Sequence, residues 1–142
     1  MAVTVGVGAI SAEAKKLVRA TRAGLEAALK TLRPGATLGD VGFAVQSVAA
    51  KAGLSVIRDL VGHGVGLHVH EDPLVPNFGK PGEGVKLQAG MVLAIEPMFA
   101  TGSHQLRMRS DGWGIKMADG RLCAHFEKTV AITQDGFLLL TP

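Results

Sequence analysis

The chain has one cysteine, Cys123, so an intrachain disulfide is excluded and a reducing, cytoplasmic setting fits it best. No apolar run approaches the ~20 residues of a membrane-spanning helix, which argues against a membrane protein. The apolar start, Met1 to Ile10, lacks the basic leader and long hydrophobic segment of a secretory signal. Aromatic residues make up only 4% of the chain, and no basic cluster is interleaved with them. The net charge of +3 is therefore too diffuse to suggest specific nucleic-acid recognition. There is no internal repeat and no low-complexity tract.

What is present is a chain of 142 residues, 47% hydrophobic, long enough for one domain with a real core. The organisation changes once, near Gly53. Ser11 is a plausible N-cap for a helix over about residues 12–32, with Leu17, Thr21, Leu25, Ala28, Leu29 and Leu32 on one face. Lys15, Arg19, Arg22, Glu26, Lys30 and Arg33 form the opposite stripe. That stripe reads as a solvated face, or more sharply as a weak docking surface for an anionic partner such as the ribosome. Pro34-Gly35 ends the helix, and Thr37 with Asp40 reads as the cap of a second one. Met91–Ile95, Thr129–Ile132 and Phe137–Leu140 are short β-like runs, and Gly-rich or Asp-Gly turns separate the later pieces. Val3 to Val7 alternates and could be a short strand. These features predict an α+β arrangement, a curved antiparallel sheet covered by two helices.

The chemistry concentrates in Gly62-His63-Gly64-Val65-Gly66-Leu67-His68-Val69-His70-Glu71-Asp72-Pro73. This stretch packs three imidazoles and two carboxylates into twelve residues threaded on glycines. On a strand, His68 and His70 would share a face, as a metal pair or as a catalytic group and its orienter. Glu71 and Asp72 read equally well as loop charges. Further on, Glu96 in Ile95-Glu96-Pro97-Met98 and Glu127 in Phe126-Glu127-Lys128-Thr129 interrupt apolar runs. A carboxylate in such a run needs a partner. The partner is either a salt bridge, for instance to Lys128 or Arg107, or a divalent metal. Pro97 blocks continued ladder pairing and puts Glu96 at a strand end or bulge.

Together, Gly62-His63-Gly64-Val65-Gly66, His70-Glu71-Asp72-Pro73, Ile95-Glu96-Pro97-Met98, Asp111-Gly112-Trp113 and Phe126-Glu127-Lys128-Thr129 resemble the C-terminal part of type I methionine aminopeptidases. The resemblance implies an incomplete pita-bread fold, with residues 1–142 forming the C-terminal portion of the catalytic domain. It implies removal of the N-terminal methionine of nascent proteins with divalent metal ions, two per complete site, of Co, Mn, Fe or Zn type. By motif, His63 and Glu96 match ligands of one metal, and Glu127 matches a carboxylate bridging both. His70 matches the histidine that contacts the scissile amide, Glu96 the proton shuttle, and Trp113 an aromatic beside the methionine pocket. Two family aspartates and a histidine would lie upstream of Met1, and Lys128 stands where the family often has histidine.

The expectation is therefore a truncated aminopeptidase with three of five ligands, at most one weakly bound ion, and an exposed edge near Val3 to Val7 that favours self-association. Two other readings stand beside it. One is a non-catalytic pita-bread relative acting as a binding module. The other is an unrelated small metal-binding domain built on His68 and His70.

Overall fold

The computed structural model describes residues 1–142. Helix α1 spans Ala12–Leu29, with the Ser11 hydroxyl accepting the Ala14 N–H at 3.1 Å. It stops one turn short of the expected end. Lys30 caps it, and Thr31 and Leu32 continue in tighter i→i+3 bonds to Ala28 and Leu29. Leu32 is still buried, so the apolar spacing was right although the last turn is not α-helical. The buried face is Leu17, Thr21, Gly24, Leu25 and Ala28. Thr21 returns its hydroxyl to the Leu17 carbonyl at 2.9 Å, so its burial leaves no orphan donor. Gly24 has a packing reason: a Cβ there would meet the Phe99 ring.

Helix α2 spans Leu38–Lys51 and begins with a complete capping box. The Asp40 carboxylate takes the Thr37 N–H at 2.7 Å, and the Thr37 hydroxyl takes the Asp40 N–H at 3.2 Å. The second Asp40 oxygen accepts the Gly82 N–H at 2.9 Å, which ties a distant loop to the helix start.

Ten short strands follow: β1 (Ser55–Val56), β2 (Gly62–Gly64), β3 (Glu71–Val75), β4 (Val92–Ile95), β5 (Met98–Ala100), β6 (Leu106–Met108), β7 (Ile115–Met117), β8 (Cys123–His125), β9 (Lys128–Ile132) and β10 (Phe137–Leu139). They make a five-stranded sheet ordered β10-β9-β4-β2-β3, a three-stranded sheet ordered β1-β5-β8, and the β6–β7 hairpin. Every pairing is antiparallel. The two larger sheets share one register. Val92 pairs with Ala131 and Ile95 with Lys128; Met98 then pairs with His125 and Ala100 with Cys123. The β4–β5 and β8–β9 segments thus form one long ladder interrupted at Glu96-Pro97.

Alternation along this ladder sorts its residues. Leu93, Ile95, Phe99, Ala124, Phe126, Val130 and Ile132 join the main core with α1 and α2. Glu96, His125, Glu127 and Thr129 take the alternate positions and belong to the opposite face. The segment Val3 to Val7 forms no strand; only Ala2 bridges to Glu127, and Val3, Val5 and Val7 are exposed.

Two predictions test this construction. Strand β2 fits between its neighbours only because its glycines have no side chain. A Cβ on Gly62 would strike the Ala94 carbonyl, and one on Gly64 the Asp72 carbonyl. Gly64→Ala should destabilise the fold by about 1–3 kcal/mol, seen as a lower urea midpoint at unchanged slope. The second concerns Asp40, whose pKa is held below the ordinary carboxylate value by the Thr37 N–H, then the Gly82 N–H and the Thr37 hydroxyl. A depressed folded pKa gives stability that is present above the unfolded value and lost as pH falls through the folded one. Asp40→Asn should therefore lower Tm near neutral pH, and the difference from wild type should shrink steadily below about pH 4.

Candidate metal centre

The interrupted ladder creates the site. Pro97 has no N–H to donate, and the only bond kept at this level runs from the Phe126 N–H to the Pro97 carbonyl at 3.3 Å. Register places Glu96 opposite Glu127. Like charges at directly opposed positions repel, so this pair calls for a cation or proton between or beside them. Both are largely shielded, with Glu96 showing 13% and Glu127 20% of the side-chain surface. Neither carboxylate pairs with Lys128 or Arg107. Instead the Met1 ammonium lies 3.1 Å from Glu127 Oε1, and two imidazoles flank Glu96.

The first imidazole is His63, on β2 and buried. It pairs in register with Ala94, two residues before Glu96 on the same strand face. Its Nδ1 is 2.8 Å from the Gly64 carbonyl. A proton on Nδ1 satisfies that carbonyl and leaves the Nε2 lone pair free, the usual arrangement of a metal-ligating histidine. That Nε2 lies 3.4 Å from Glu96 Oε1. The second imidazole is His125, which pairs with Met98, two residues after Glu96. Its Nε2 lies 3.3 Å from Glu96 Oε2. Buried Asn77 fixes the carboxylate's backbone by donating to the Glu96 carbonyl at 3.1 Å.

Glu96, His125 and Glu127 each offer one ligand atom, all within 4.8 Å of one another. His63 lies outside that group and meets it at Glu96, whose Oε1 is 3.4 Å from the His63 Nε2. The donor set is mixed nitrogen and oxygen, suited to a divalent Mn, Fe, Co or Zn ion. A cavity of about 450 Å³ opens over it, lined by His63, His70, Glu96 and Glu127 among others.

The other expected residues fall as follows. The His70 ring lies against the His63 ring at the cavity wall, with centroids 4.2 Å apart and planes tilted by 54°. The segment from Gly66 to His70 is a series of bends rather than a strand, so the shared-face argument for His68 and His70 does not apply. His68 is exposed, and its N–H donates to Glu71 Oε1 at 2.7 Å, which makes Glu71 a brace for the bend. Trp113 sits in the β6–β7 turn, 90% exposed and outside the cavity lining. The Asp111 carboxylate organises that turn by accepting the Trp113 and Gly114 N–H groups at 3.0 and 2.7 Å. His125 is not among the residues that the sequence motifs single out. The available signal was its spacing two residues before Glu127, which puts both on one strand face.

Comparison with known proteins places the chain in a family. The sequence matches the metallopeptidase family M24 over residues 1–134. It is 50% identical over 138 residues to a methionine aminopeptidase of Clostridium perfringens, covering 97% of this chain and 55% of that protein. It is 45% identical over 138 residues to methionine aminopeptidase 1 of Bacillus subtilis, covering 97% and 56%. The crystal structure of methionine aminopeptidase from Thermotoga maritima superposes with a TM-score of 0.95 at 50% identity, covering 98% of this chain and 56% of that one. The chain spans just over half the length of these relatives. With its pita-bread topology and a family match along nearly its whole length, the chain belongs to metallopeptidase family M24.

Proposed function

We propose that residues 1–142 form the C-terminal portion of the catalytic domain of a metal-dependent aminopeptidase that removes N-terminal methionine from nascent proteins in the cytoplasm. The observation that carries this reading is the apposition of Glu96 and Glu127 across the interrupted ladder, with His63 and His70 on the same cavity. Two relatives, from Clostridium perfringens and Bacillus subtilis, are named methionine aminopeptidases, which supports the substrate class. A non-catalytic binding surface is not favoured, because a module that only binds has no need of carboxylates held opposite one another.

His63, Glu96 and Glu127 would hold the ion. A divalent ion there supplies Lewis acidity and makes water a better nucleophile near neutral pH. Glu96 can accept a proton at a carboxylate oxygen and return it to the leaving amine. His70, on the wall above His63, can donate from its ring to the scissile amide as negative charge develops. The apolar stems of Leu67 and Val69 at the cavity lining suit a thioether side chain.

Two outcomes follow from this assignment. Calorimetric titration of the chain with Mn²⁺ or Zn²⁺ should give at most one ion per chain, and Glu127→Gln should abolish the heat; two tight sites would contradict it. The 142-residue chain should release negligible methionine from Met-Ala-Ser. Supplying the matching upstream segment of a relative should raise turnover, and His70→Ala in that complemented enzyme should lower kcat by roughly 100-fold with little change in KM. Peptide binding without turnover in the complemented protein would favour the binding-module reading.

A further inference from the structure

We propose that His125 is a metal ligand of this chain, contributing a second imidazole to the ion on the side of Glu96 opposite His63. The inference rests on the metal-centre reading above and adds a ligand to it.

Four observations converge. First, position: Ala94, Glu96 and Met98 occupy alternate places on one strand face, and the cross-strand partners of the outer two are His63 and His125. Glu96 is thereby bracketed by imidazoles from two different sheets, one to each of its oxygens, at 3.4 and 3.3 Å. Second, spacing: two ligand atoms on one ion at a tetrahedral angle, with bonds of about 2.1 Å, stand about 3.4 Å apart. Third, an orphan: His125 Nε2 is buried yet makes no hydrogen bond, despite the nearby carboxylate oxygen. The ring nitrogen is not aligned on that oxygen. A buried polar atom without a partner is costly, and His125 offers a ring nitrogen within 4.8 Å of carboxylate oxygens of both Glu96 and Glu127, where a shared ion would partner it.

Fourth, the backbone of His125 is held from outside its own sheet. The Thr4 hydroxyl donates to the His125 carbonyl at 2.8 Å and accepts the His125 N–H at 2.9 Å. Next to it, Ala2 exchanges both main-chain bonds with Glu127, at 2.9 and 3.4 Å. The segment from Ala2 to Thr4 therefore fixes His125 and Glu127 together, as hydrogen bonds behind metal ligands commonly orient them. A histidine serving only as a surface ion-pair partner needs no such clamp.

The test uses the 142-residue chain, Zn²⁺ as the metal, and two readouts: calorimetric affinity and ¹⁵N chemical shifts of the imidazole nitrogens. In the wild type, one equivalent of Zn²⁺ should move the His125 Nε2 resonance to a metal-bound position. His125→Gln keeps a polar N–H group near Glu96, but it offers no imidazole lone pair. It should weaken Zn²⁺ by at least about tenfold, or 1.4 kcal/mol, with the circular dichroism spectrum unchanged. Thr4→Val should weaken Zn²⁺ by a smaller factor. If Zn²⁺ leaves the His125 resonances in place and His125→Gln binds as the wild type does, while Glu127→Gln abolishes binding, His125 is no ligand and the centre itself stands. If Glu127→Gln and Glu96→Gln also bind Zn²⁺ as the wild type does, the centre falls and this inference falls with it.

Discussion

Two carboxylates opposed across one antiparallel ladder are the constraint around which this fold is arranged. Glu96 and Glu127 occupy the same level of the β4–β5 and β8–β9 ladder, where ordinary sheets avoid like charge. The backbone makes room for them. Pro97 removes one ladder donor, and the sheet divides there into a five-stranded and a three-stranded part with unbroken register. Strand alternation then separates two environments. Phe99, Phe126, Ile95 and Val130 go under the helices, and the acidic pair with its imidazoles goes to the other face. The core and the site are therefore two faces of the same few residues. A slip of one position by either strand would turn its carboxylate into the core.

Around that level, the structure spends its tightest packing on holding donors still. Strand β2 carries a histidine between two glycines because the space between β3 and β4 admits no side chain on either flank. His63 is aimed by its Nδ1 contact to the Gly64 carbonyl, Glu96 by Asn77, and His125 and Glu127 by the segment from Ala2 to Thr4. These are bonds from main chain or buried amide, which lose little on ordering because their own elements are already fixed. The arrangement is what a preorganised electrostatic site requires: dipoles and charges set before any ligand arrives.

How much of this was legible in the sequence follows the range of the interactions. The capping box at Thr37 and Asp40 and the α1 face are local patterns, and both were readable. Glu96 and Glu127 were readable because a carboxylate in an apolar run is conspicuous by itself. That they face each other was not, because it depends on a pairing between segments some thirty residues apart. His125 carries one local signal, its spacing two residues before Glu127; that it also meets Glu96 depends on its pairing with Met98. The His68 and His70 expectation failed for another reason. It assumed a strand where Gly66 and the Glu71 brace impose bends, and the spacing of two then carries no face information. Trp113 was placed by motif alone, and nothing local holds its ring: its turn is organised entirely by the Asp111 carboxylate and main chain.

The cavity is graded from floor to rim. At the floor, His63 is buried, Glu96 is nearly so, and the polar groups have named partners or stand within ligand distance of one another. At the rim, Leu67 and Val69 are exposed on the bends that follow Gly66. Apolar side chains at the mouth of a charged cavity lower the local dielectric only when something covers them; uncovered, they leave the floor open to solvent and its charges screened. Affinity for an ion would depend mainly on the floor, where residues 63–127 and the Ala2–Thr4 segment together set the geometry. Catalysis depends on both levels, because water must be excluded while the charges act. The two properties can therefore separate in this chain: the ligand set can be competent to hold a metal while the cavity remains too open for efficient hydrolysis.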